Sequence, residues 1–279
     1  MVDGAPALPV PVLLGAIRLN PRPPGSPPYR PPRPLAVRAF DRYVRSQLAR
    51  HFATTRLASL CDAGRWDRSI PTLLLGNHTS WWDGLLAFVT GRELGLTAHI
   101  VMEASSLERY RAFRLAGAVP IRRSSPRGAY EDLVAAGTCL RPGGGLWIFP
   151  QGSRRPQGER PARLERGAAE LALRHEGPLR VCPVAFRYLH LSEQLPEAFV
   201  LVGQAWVLEP GRYAGRRELA PVLERDLAGV VDALDGSLRT ESLAAFRTVV
   251  AGRLSINKRM DRFRHALGLL RGPFEARNG

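Results

Sequence analysis

The sequence is poor in lysine and in cysteine. Lys258 is the single lysine among 40 basic residues, so arginine supplies nearly all of a formal net charge of +15. The three cysteines, Cys61, Cys139 and Cys182, are far apart and form no Cys-x-x-Cys pair. This argues against a disulfide framework or a zinc site and favours a reducing compartment. A chain this basic is drawn to nucleic acid, anionic lipid or phosphorylated ligands.

Long apolar runs and nucleotide fingerprints are also absent from the sequence. No apolar run approaches the roughly 18 residues that a membrane-spanning helix needs. Residues 10–17 are interrupted by Pro11 and follow an acidic residue, so no signal peptide is expected. The glycines at 143–145 precede a predicted strand, which is the wrong order for a phosphate loop or a dinucleotide site. Charge alone leaves nucleic-acid binding as an alternative, although the basic residues are dispersed and no nucleic-acid motif is recognised.

Composition and periodicity divide the chain into four segments. Residues 1–34 contain eleven prolines and predict an extended arm. Residues 35–60 repeat apolar residues every three or four positions, which predicts an amphipathic helix that either packs on the domain or lies in a membrane interface. Residues 61–210 alternate short apolar runs with helical patterns and form the predicted α/β domain. Residues 211–279 predict a helical C-terminal extension, with helices at 219–234 and 241–270, the latter again basic and amphipathic.

A histidine and an aspartate follow the first buried strand of this domain. Residues 73–76 are an apolar run, and residues 77–83 read Asn-His-Thr-Ser-Trp-Trp-Asp. His78 is the side chain best suited to take a proton near neutral pH. Asp83 can hold one ring nitrogen in its N–H form, so that the other faces a substrate hydroxyl as a base. The alternative is a surface loop with a capping serine and two tryptophans packed on the core.

Polar residues follow the next predicted strands as well. Arg122 and Arg123 end the segment Gly-Ala-Val-Pro-Ile-Arg-Arg, and guanidinium groups can grip a phosphate through two hydrogen bonds. A strand at 146–149 leads into Pro-Gln-Gly-Ser-Arg-Arg at 150–155, a tight turn that presents backbone N–H groups, a hydroxyl and a guanidinium together. A strand at 179–188 contains Val-Cys-Pro-Val, where Pro183 predicts an edge or the start of a strand. The alternative for the arginines is that they are solvated loop charges.

These four segments resemble, in order, the motifs of the glycerol-phosphate and lysophosphatidate acyltransferase family: Asn-His-x-Ser-x-x-Asp, Gly-apolar-apolar-x-Ile-Arg, Phe-Pro-Glu-Gly-Thr-Arg and Val-Pro-Val. The resemblance spans residues 77–186. It implies an α/β fold, with a mixed β-sheet flanked by helices, in a single acyltransferase domain that carries basic amphipathic N- and C-terminal helices. It also implies acyl transfer from acyl-CoA or acyl-carrier protein to a lipid hydroxyl, most directly lysophosphatidate in phospholipid synthesis. No cofactor or metal is expected.

The resemblance also assigns roles to individual residues. Catalysis falls to His78 and Asp83. Binding of the acceptor falls to Arg122, Arg123, Gln151, Gly152, Ser153 and Arg154. The resemblance places the enzyme in the cytoplasm, peripheral on the inner face of the cell membrane, with a lipid acceptor, an acyl thioester donor and an anionic membrane surface as partners and no nucleic acid.

One position departs from the family pattern. Gln151 stands where the family usually has glutamate, which is associated with acceptor binding. The amide keeps an acceptor oxygen but loses the charge. This leaves a glycosylated carotenoid-type lipid or a lyso-aminolipid as alternative acceptors. An inactive relative that binds membranes or serves as a scaffold is a further alternative.

Overall fold

The computed structural model describes residues 32–110, 112–161, 164–191 and 193–252, so most of the predicted proline-rich arm lies outside it. The described residues form nine strands and seven α-helices. The strands are β1 (Thr54–Ser59), β2 (Thr72–Gly76), β3 (Thr97–Glu103), β4 (Ala118–Ile121), β5 (Gly144–Ile148), β6 (Leu179–Leu189), β7 (Glu197–Val202), β8 (Trp206–Leu208) and β9 (Arg247–Ala251). The helices are α1 (Pro34–His51), α2 (Asp83–Glu93), α3 (Ala104–Arg109), α4 (Ala112–Leu115), α5 (Pro126–Gly137), α6 (Gly167–Leu173) and α7 (Arg216–Arg239).

The strands form one mixed sheet. Eight of them lie in the order β4-β3-β5-β2-β6-β7-β1-β9, and β8 pairs with β6. The strands from β4 to β6 in this order are parallel neighbours. β7 runs antiparallel to β6, β1 runs parallel to β7, and β9 runs antiparallel to β1. The carboxyl ends of β2, β5 and β6 therefore meet at one edge of the sheet, which is where sheets of this kind place their sites.

Helices cover both faces of the sheet. Side chains along the central strands therefore alternate between two hydrophobic cores, one on each face. In β2, Leu74 packs in the cluster that includes α1 and α2, whereas Leu73 and Leu75 pack in the cluster that includes α5 and α6. α7 covers the second face over β6 and β7. Strands buried on both faces are apolar throughout, as the uninterrupted Leu-Leu-Leu of β2 shows. The predicted α/β class, with a mixed sheet flanked by helices, is confirmed.

The apolar stripe of α1 belongs to the core. Phe40, Val44 and Leu48 are buried, so packing on the domain accounts for the stripe that periodicity detected. The prediction of one helix over residues 35–60 is wrong beyond His51, because residues 54–59 form β1, whose β-branched Thr54 and Thr55 suit a strand. β1 pairs with β7 inside the sheet.

The C-terminal part of the described chain also differs from the prediction. α7 confirms the helix expected at 219–234. The helix predicted for 241–270 is wrong where it can be tested, because Arg247–Ala251 form β9 and pair antiparallel with β1. The segment contains Thr-Val-Val, whose branched side chains favour a strand. Residues 253–270 lie outside the described residues.

Pro183 occupies the interior of the sheet, so the expected edge or strand start is wrong. The first part of β6 pairs with β8 up to Val181, and the later part pairs with β7 from Val184 onward. Pro183 lies between these two partners, where the missing N–H removes no ladder hydrogen bond on that side. Its carbonyl oxygen accepts from the N–H of Gly203, the residue after β7.

Candidate active site

The turn between β2 and α2 brings His78 and Asp83 into direct contact. β2 ends at Gly76 and α2 begins at Asp83, so the five-residue spacing folds the carboxylate back onto the imidazole. Nδ1 of His78 lies 2.7 Å from Oδ2 of Asp83. The Asp83 side chain is fully buried, whereas 27% of the His78 side chain is exposed. Because Asp83 occupies Nδ1, the other ring nitrogen, Nε2, remains for an incoming group.

Hydrogen-bond donors surround the Asp83 carboxylate. Oδ2 also accepts from the backbone N–H groups of Thr79 at 2.7 Å and Ser80 at 2.8 Å. Asp83 is the first residue of α2, where the helix dipole favours a negative charge. Removing a carboxylate from water is costly unless hydrogen bonds replace the lost solvation. These contacts supply that replacement and fix the orientation of the carboxylate.

Tyr188 is a third member of this network that sequence reasoning missed. Its hydroxyl donates to Oδ1 of Asp83 at 2.5 Å. Burial, and then the Asp83 charge, raise the pKa of Tyr188 well above its ordinary value, so the hydroxyl stays protonated as a donor. Tyr188 follows Asp83 by 105 residues, so no local pattern links the two. The available signal was an aromatic residue near the end of the strand that carries Val-Cys-Pro-Val.

Two amide side chains fix these residues to β6. β2 ends before β6 does, so the outer main-chain groups of β6 need other partners. Asn77 donates from Nδ2 to the carbonyl of Phe186 at 3.2 Å and accepts at Oδ1 from its N–H at 2.7 Å. Gln157 bonds the carbonyl and N–H of Tyr188 in the same way, at 3.2 and 2.7 Å. Each amide thus replaces a neighbouring strand, and Asn77 anchors the residue that precedes His78.

The loop at residues 150–155 holds the main chain of His78. Oε1 of Gln151 accepts from the N–H of His78 at 2.6 Å, and the N–H of Arg155 donates to the carbonyl of His78 at 2.8 Å. The ring of Phe149 stacks on the imidazole, with 4.7 Å between ring centroids. The oxygen of Gln151 is therefore engaged within the protein, and its amide N–H₂ group is the part that remains for a ligand.

Gly152 and Arg123 shape the same loop. Gly152 has a φ of +71°, and an added Cβ would overlap the side chain of Glu165. The Arg123 guanidinium donates to the carbonyl of Gly152 and also to Glu165 at 3.1 Å. Arg123 therefore braces the turn, and Glu165 offsets its charge.

The other predicted acceptor residues separate into two kinds. Arg122 is directed to α5, where it contacts Asp132 at 2.9 Å and Glu131 at 3.3 Å. Ser153 and Arg154 are exposed, and neither side chain has a hydrogen-bond partner within the described ranges. Of the two, Arg154 supplies an uncompensated positive charge on the loop that contacts His78.

Aromatic side chains border the histidine on the α1 side. Trp82 packs against Phe52 and His51 at the end of α1, with ring centroids 5.1 and 5.0 Å apart. Trp81 is 40% exposed and lies 6.0 Å from the ring of Tyr110. This wall is partly open to solvent and offers apolar surface beside the candidate site.

A cavity lies beside this network and meets it at Gln157. The cavity, of about 350 Å³, is lined by residues that include Gln157, Arg187, Leu189 and Asp235, but neither His78 nor Asp83 lines it. The hydrogen-bond geometry therefore defines the candidate site, where 27% of the His78 side chain is exposed. Within the described ranges, no three His, Cys, Asp or Glu side chains are grouped to hold a metal ion.

The family comparison covers the segment that carries this network. Residues 61–187 match the family model described as Acyltransferase. The match includes His78, Asp83 and the loop at 150–155, and it ends one residue before Tyr188. These residues therefore form an acyltransferase domain, and the acyltransferase class predicted from the motifs is confirmed. No match to a curated protein sequence was found.

A solved structure shares the fold. The chain is similar to the crystal structure of the 1-acyl-sn-glycerophosphate (LPA) acyltransferase, PlsC, from Thermotoga maritima, with a TM-score of 0.51 and 17% sequence identity. The similarity covers 71% of this chain and 78% of that chain. At this level of identity, the likeness establishes the fold. In the part of this chain that is described, no helix has the length and apolar character to cross a bilayer.

Proposed function

We propose that the protein transfers a fatty acyl group from an acyl thioester, carried by CoA or acyl-carrier protein, to the hydroxyl of a lipid, most directly lysophosphatidate. The observation that carries this proposal is the His78–Asp83 contact at 2.7 Å, with Asp83 buried and His78 partly exposed. The acyltransferase family match and the PlsC-like fold support it.

In the proposed mechanism, His78 is the general base. Nε2 takes the proton of the acceptor hydroxyl as its oxygen attacks the thioester carbonyl. Asp83 keeps Nδ1 in its N–H form and stabilises the imidazolium that forms. When the tetrahedral intermediate collapses, the C–S bond breaks and the imidazolium returns its proton to the departing thiolate. The ester bond forms directly, so the reaction needs no protein nucleophile, metal or resident cofactor.

Tyr188 positions the base in this proposal without touching the substrate. Its hydrogen bond to Oδ1, together with the two backbone donors to Oδ2, prevents the carboxylate from rotating away from Nδ1. Orientation of the histidine by a fixed third group is the logic of catalytic triads. Gln151 and Arg155 hold the main chain of His78 from the opposite side.

The acceptor's polar head is proposed to lie against the loop at 150–155. The Gln151 amide N–H₂ group, the Ser153 hydroxyl and the Arg154 guanidinium are among the donors on this loop that have no partner in the described residues, and the exposed Arg155 guanidinium is another. Arg154 suits a phosphate because no described carboxylate offsets its charge. Arg123 contributes mainly by holding Gly152 in place.

The structure also favours a second acceptor class. Arg122 is paired with Asp132 and Glu131, and Arg123 is paired with Glu165. Gln151 contributes no charge. Two of the three predicted phosphate-binding guanidiniums are thus already neutralised, which suits a lipid hydroxyl without phosphate, such as a glycosylated lipid. A lyso-aminolipid fits the same description.

The proposal places the protein at an anionic membrane surface in the cytoplasm. The outer face of α1 exposes Arg38, Arg42 and Arg50, and it also exposes Leu35 (78%) and Tyr43 (49%). Basic side chains near such a surface each add about 1 kcal/mol of attraction. Binding to anionic but not neutral vesicles, weakened by Arg38→Ala/Arg42→Ala, is the expected result. Equal binding to both kinds of vesicle would contradict the proposal that the basic side chains of α1 attract the protein to anionic lipid.

The decisive experiment measures thiol release from a long-chain acyl-CoA and from a matched acyl-carrier protein. The acceptor panel contains lysophosphatidate, glycerol 3-phosphate, a lyso-aminolipid and a glycosylated lipid. His78→Ala tests the base, and His190→Ala, which alters an exposed histidine outside the network, is the matched control. Activity with lysophosphatidate that only His78→Ala abolishes supports the first proposal. Activity confined to an acceptor without phosphate supports the second, and silence across the panel would favour an inactive membrane-binding relative.

A further inference from the structure

The cavity beside the candidate active site lies between the end of β6, the last turns of α7 and the segment that follows the loop at 150–155. Its lining residues include Gln157 from that segment, Arg187 and Leu189 from β6, and Asp235, Leu238 and Arg239 from α7. Its volume of about 350 Å³ is near the lower end of the roughly 300–1,000 Å³ range of small-molecule sites. The cavity is therefore large enough for a small organic ligand.

Arg187 supplies a buried positive charge to the wall of the cavity. Its side chain is only 5% exposed. Nε and Nη2 donate to the two carboxylate oxygens of Asp235 at 2.6 and 2.8 Å, and Nη1 donates to the carbonyl of Phe186 at 3.2 Å. A guanidinium has more N–H groups than these contacts use, and the others have no partner among the described residues. Because buried donors without partners are costly, an acceptor in the cavity would stabilise this wall.

The charged groups that line the cavity leave one positive charge without compensation. Arg187 and Asp235 form an ion pair and offset each other. Arg239 is exposed at the end of α7 and has no carboxylate partner among the described residues. The cavity therefore favours an anion with a single negative charge. A carboxylate carries such a charge at neutral pH, whereas a phosphate monoester carries about two.

Two leucines give the cavity an apolar side. Leu238 is buried, and Leu189 is partly buried against the core cluster that includes α7. Aliphatic side chains form no hydrogen bonds, so this side suits the hydrocarbon part of a ligand. Aliphatic surface beside two guanidiniums matches an amphiphilic carboxylate with a short alkyl chain.

Gln157 connects this cavity to the candidate active site. The side chains of Arg187 and Leu189 lie on the α7 face of β6, whereas the intervening Tyr188 contacts Asp83 on the other face. Gln157 lines the cavity and bonds the carbonyl and N–H of Tyr188 at 3.2 and 2.7 Å. A ligand that restrains Gln157 would therefore also restrain the main chain of Tyr188.

We propose that this cavity is a binding site for a small amphiphilic carboxylate. The carboxylate head contacts the guanidiniums of Arg187 and Arg239, and the alkyl chain lies against the two leucines. The bound ligand thereby stabilises the contact between Gln157 and Tyr188. The proposed catalytic pair does not line the cavity, so the inference does not depend on acyl transfer. Its test reads binding and main-chain hydrogen exchange rather than turnover.

The first experiment titrates the full chain with octanoate at pH 7 in a calorimeter and repeats the measurement by equilibrium dialysis. Acetate has the same head without the chain and should bind at least about tenfold more weakly. Octanol has the chain without the charge and should bind about threefold more weakly. Added salt should weaken the binding of octanoate but not of octanol. Equal affinities for octanoate and octanol would overturn the contact with the guanidiniums, and equal affinities for octanoate and acetate would overturn the apolar side.

Two substitutions with opposite expected effects place the ligand in this cavity. Arg239→Ala removes the uncompensated charge and should weaken octanoate binding about two- to fivefold. Asp235→Asn removes the carboxylate that competes for Arg187 and should strengthen binding by a similar factor. Arg225→Ala and Glu218→Gln change exposed residues of α7 that do not line the cavity, and they are the matched controls. A damaged fold would lower the affinity in either variant and would not produce the gain expected for Asp235→Asn.

Hydrogen–deuterium exchange tests the link to Tyr188. Octanoate at twice its Kd should slow exchange of the Tyr188 amide, which is bonded to Gln157, by about threefold. Unchanged exchange at saturating octanoate would overturn this link. The site itself would be overturned if octanoate failed to bind in both calorimetry and dialysis, or if Asp235→Asn bound octanoate more weakly than the wild type.

Discussion

The two halves of the candidate site are built in opposite ways. His78 and Asp83 lie in a closed network in which both oxygens of the carboxylate and both main-chain groups of the histidine have partners. The loop residues Ser153 and Arg154 are exposed and lack partners in the described part of the chain. The first half is fixed before substrate arrives, whereas the second is open.

This difference separates reaction from specificity. A base must be held within tenths of an ångström of its working position, because small misplacements cost large factors in rate. A surface that binds a headgroup tolerates more variation, and its exposed charges are individually weak because water screens them. The closed network therefore points to the type of chemistry, while the open loop leaves the acceptor to experiment.

The largest loss of activity is expected at His78. We expect His78→Ala to lower the rate of acyl transfer by about 10²- to 10⁴-fold, because the general base is lost. Thiol release measures the rate, and circular dichroism checks the fold. His190→Ala should retain wild-type activity. Near-normal turnover in His78→Ala would show that the closed network takes no part in acyl transfer.

The next largest effect is expected at Tyr188. Tyr188→Phe removes a hydrogen bond to a buried carboxylate, and such bonds contribute about 1.5–3 kcal/mol, so kcat should fall about 10- to 100-fold. KM for the acceptor should stay constant, since Tyr188 does not touch it, and the pH profile of kcat should shift because Asp83 is less firmly held. Tyr213→Phe is the matched control. A change in KM alone would contradict a positioning role.

Gln151 lies on the open loop and bonds the main chain of His78, so its variants test how the two halves of the site depend on each other. Gln151→Ala removes the acceptor for the His78 N–H and should lower kcat about fivefold, as expected for a hydrogen bond of about 1 kcal/mol. Gln151→Glu keeps an oxygen at that position, so kcat should be largely preserved while the preference among acceptors changes. If Gln151→Glu lost as much activity as Gln151→Ala, the oxygen contact would not explain the role of this residue.

The smallest effect is expected on the open loop. Arg154→Ala should raise KM for a phosphorylated acceptor about two- to fivefold at constant kcat, in line with the energy of an exposed ion pair. Arg122→Ala should leave KM unchanged, since Asp132 and Glu131 already engage that guanidinium. A larger rise in KM for Arg122→Ala than for Arg154→Ala would show that Arg122, and not Arg154, binds the phosphorylated acceptor. The effect of Arg154→Ala should also weaken as salt is raised.

Sequence patterns predicted most of the elements that surround the site. Runs of apolar residues marked β2 and β5, and the polar residues just after them marked the candidate site. Periodicity failed where a basic amphipathic pattern continued into a different element. It extended α1 over β1, and it predicted a helix where β9 pairs with β1. Those strands exist because they complete a sheet whose other members are distant in sequence, so no local window contains the cause.

The candidate pair could be predicted from the sequence alone, because His78 and Asp83 are five residues apart and a single turn between β2 and α2 brings them together. The groups that hold this pair in place could not be predicted in the same way, because they come from distant parts of the chain. Tyr188, Asn77 and Gln151 act through contacts that span between 73 and 109 residues. The tertiary structure also paired Arg122 with Asp132 and Arg123 with Glu165. The five-residue spacing of His78 and Asp83 is enough to predict that they can meet. The residues that contact them from other strands depend on the register of the strands, which is set by the whole sheet.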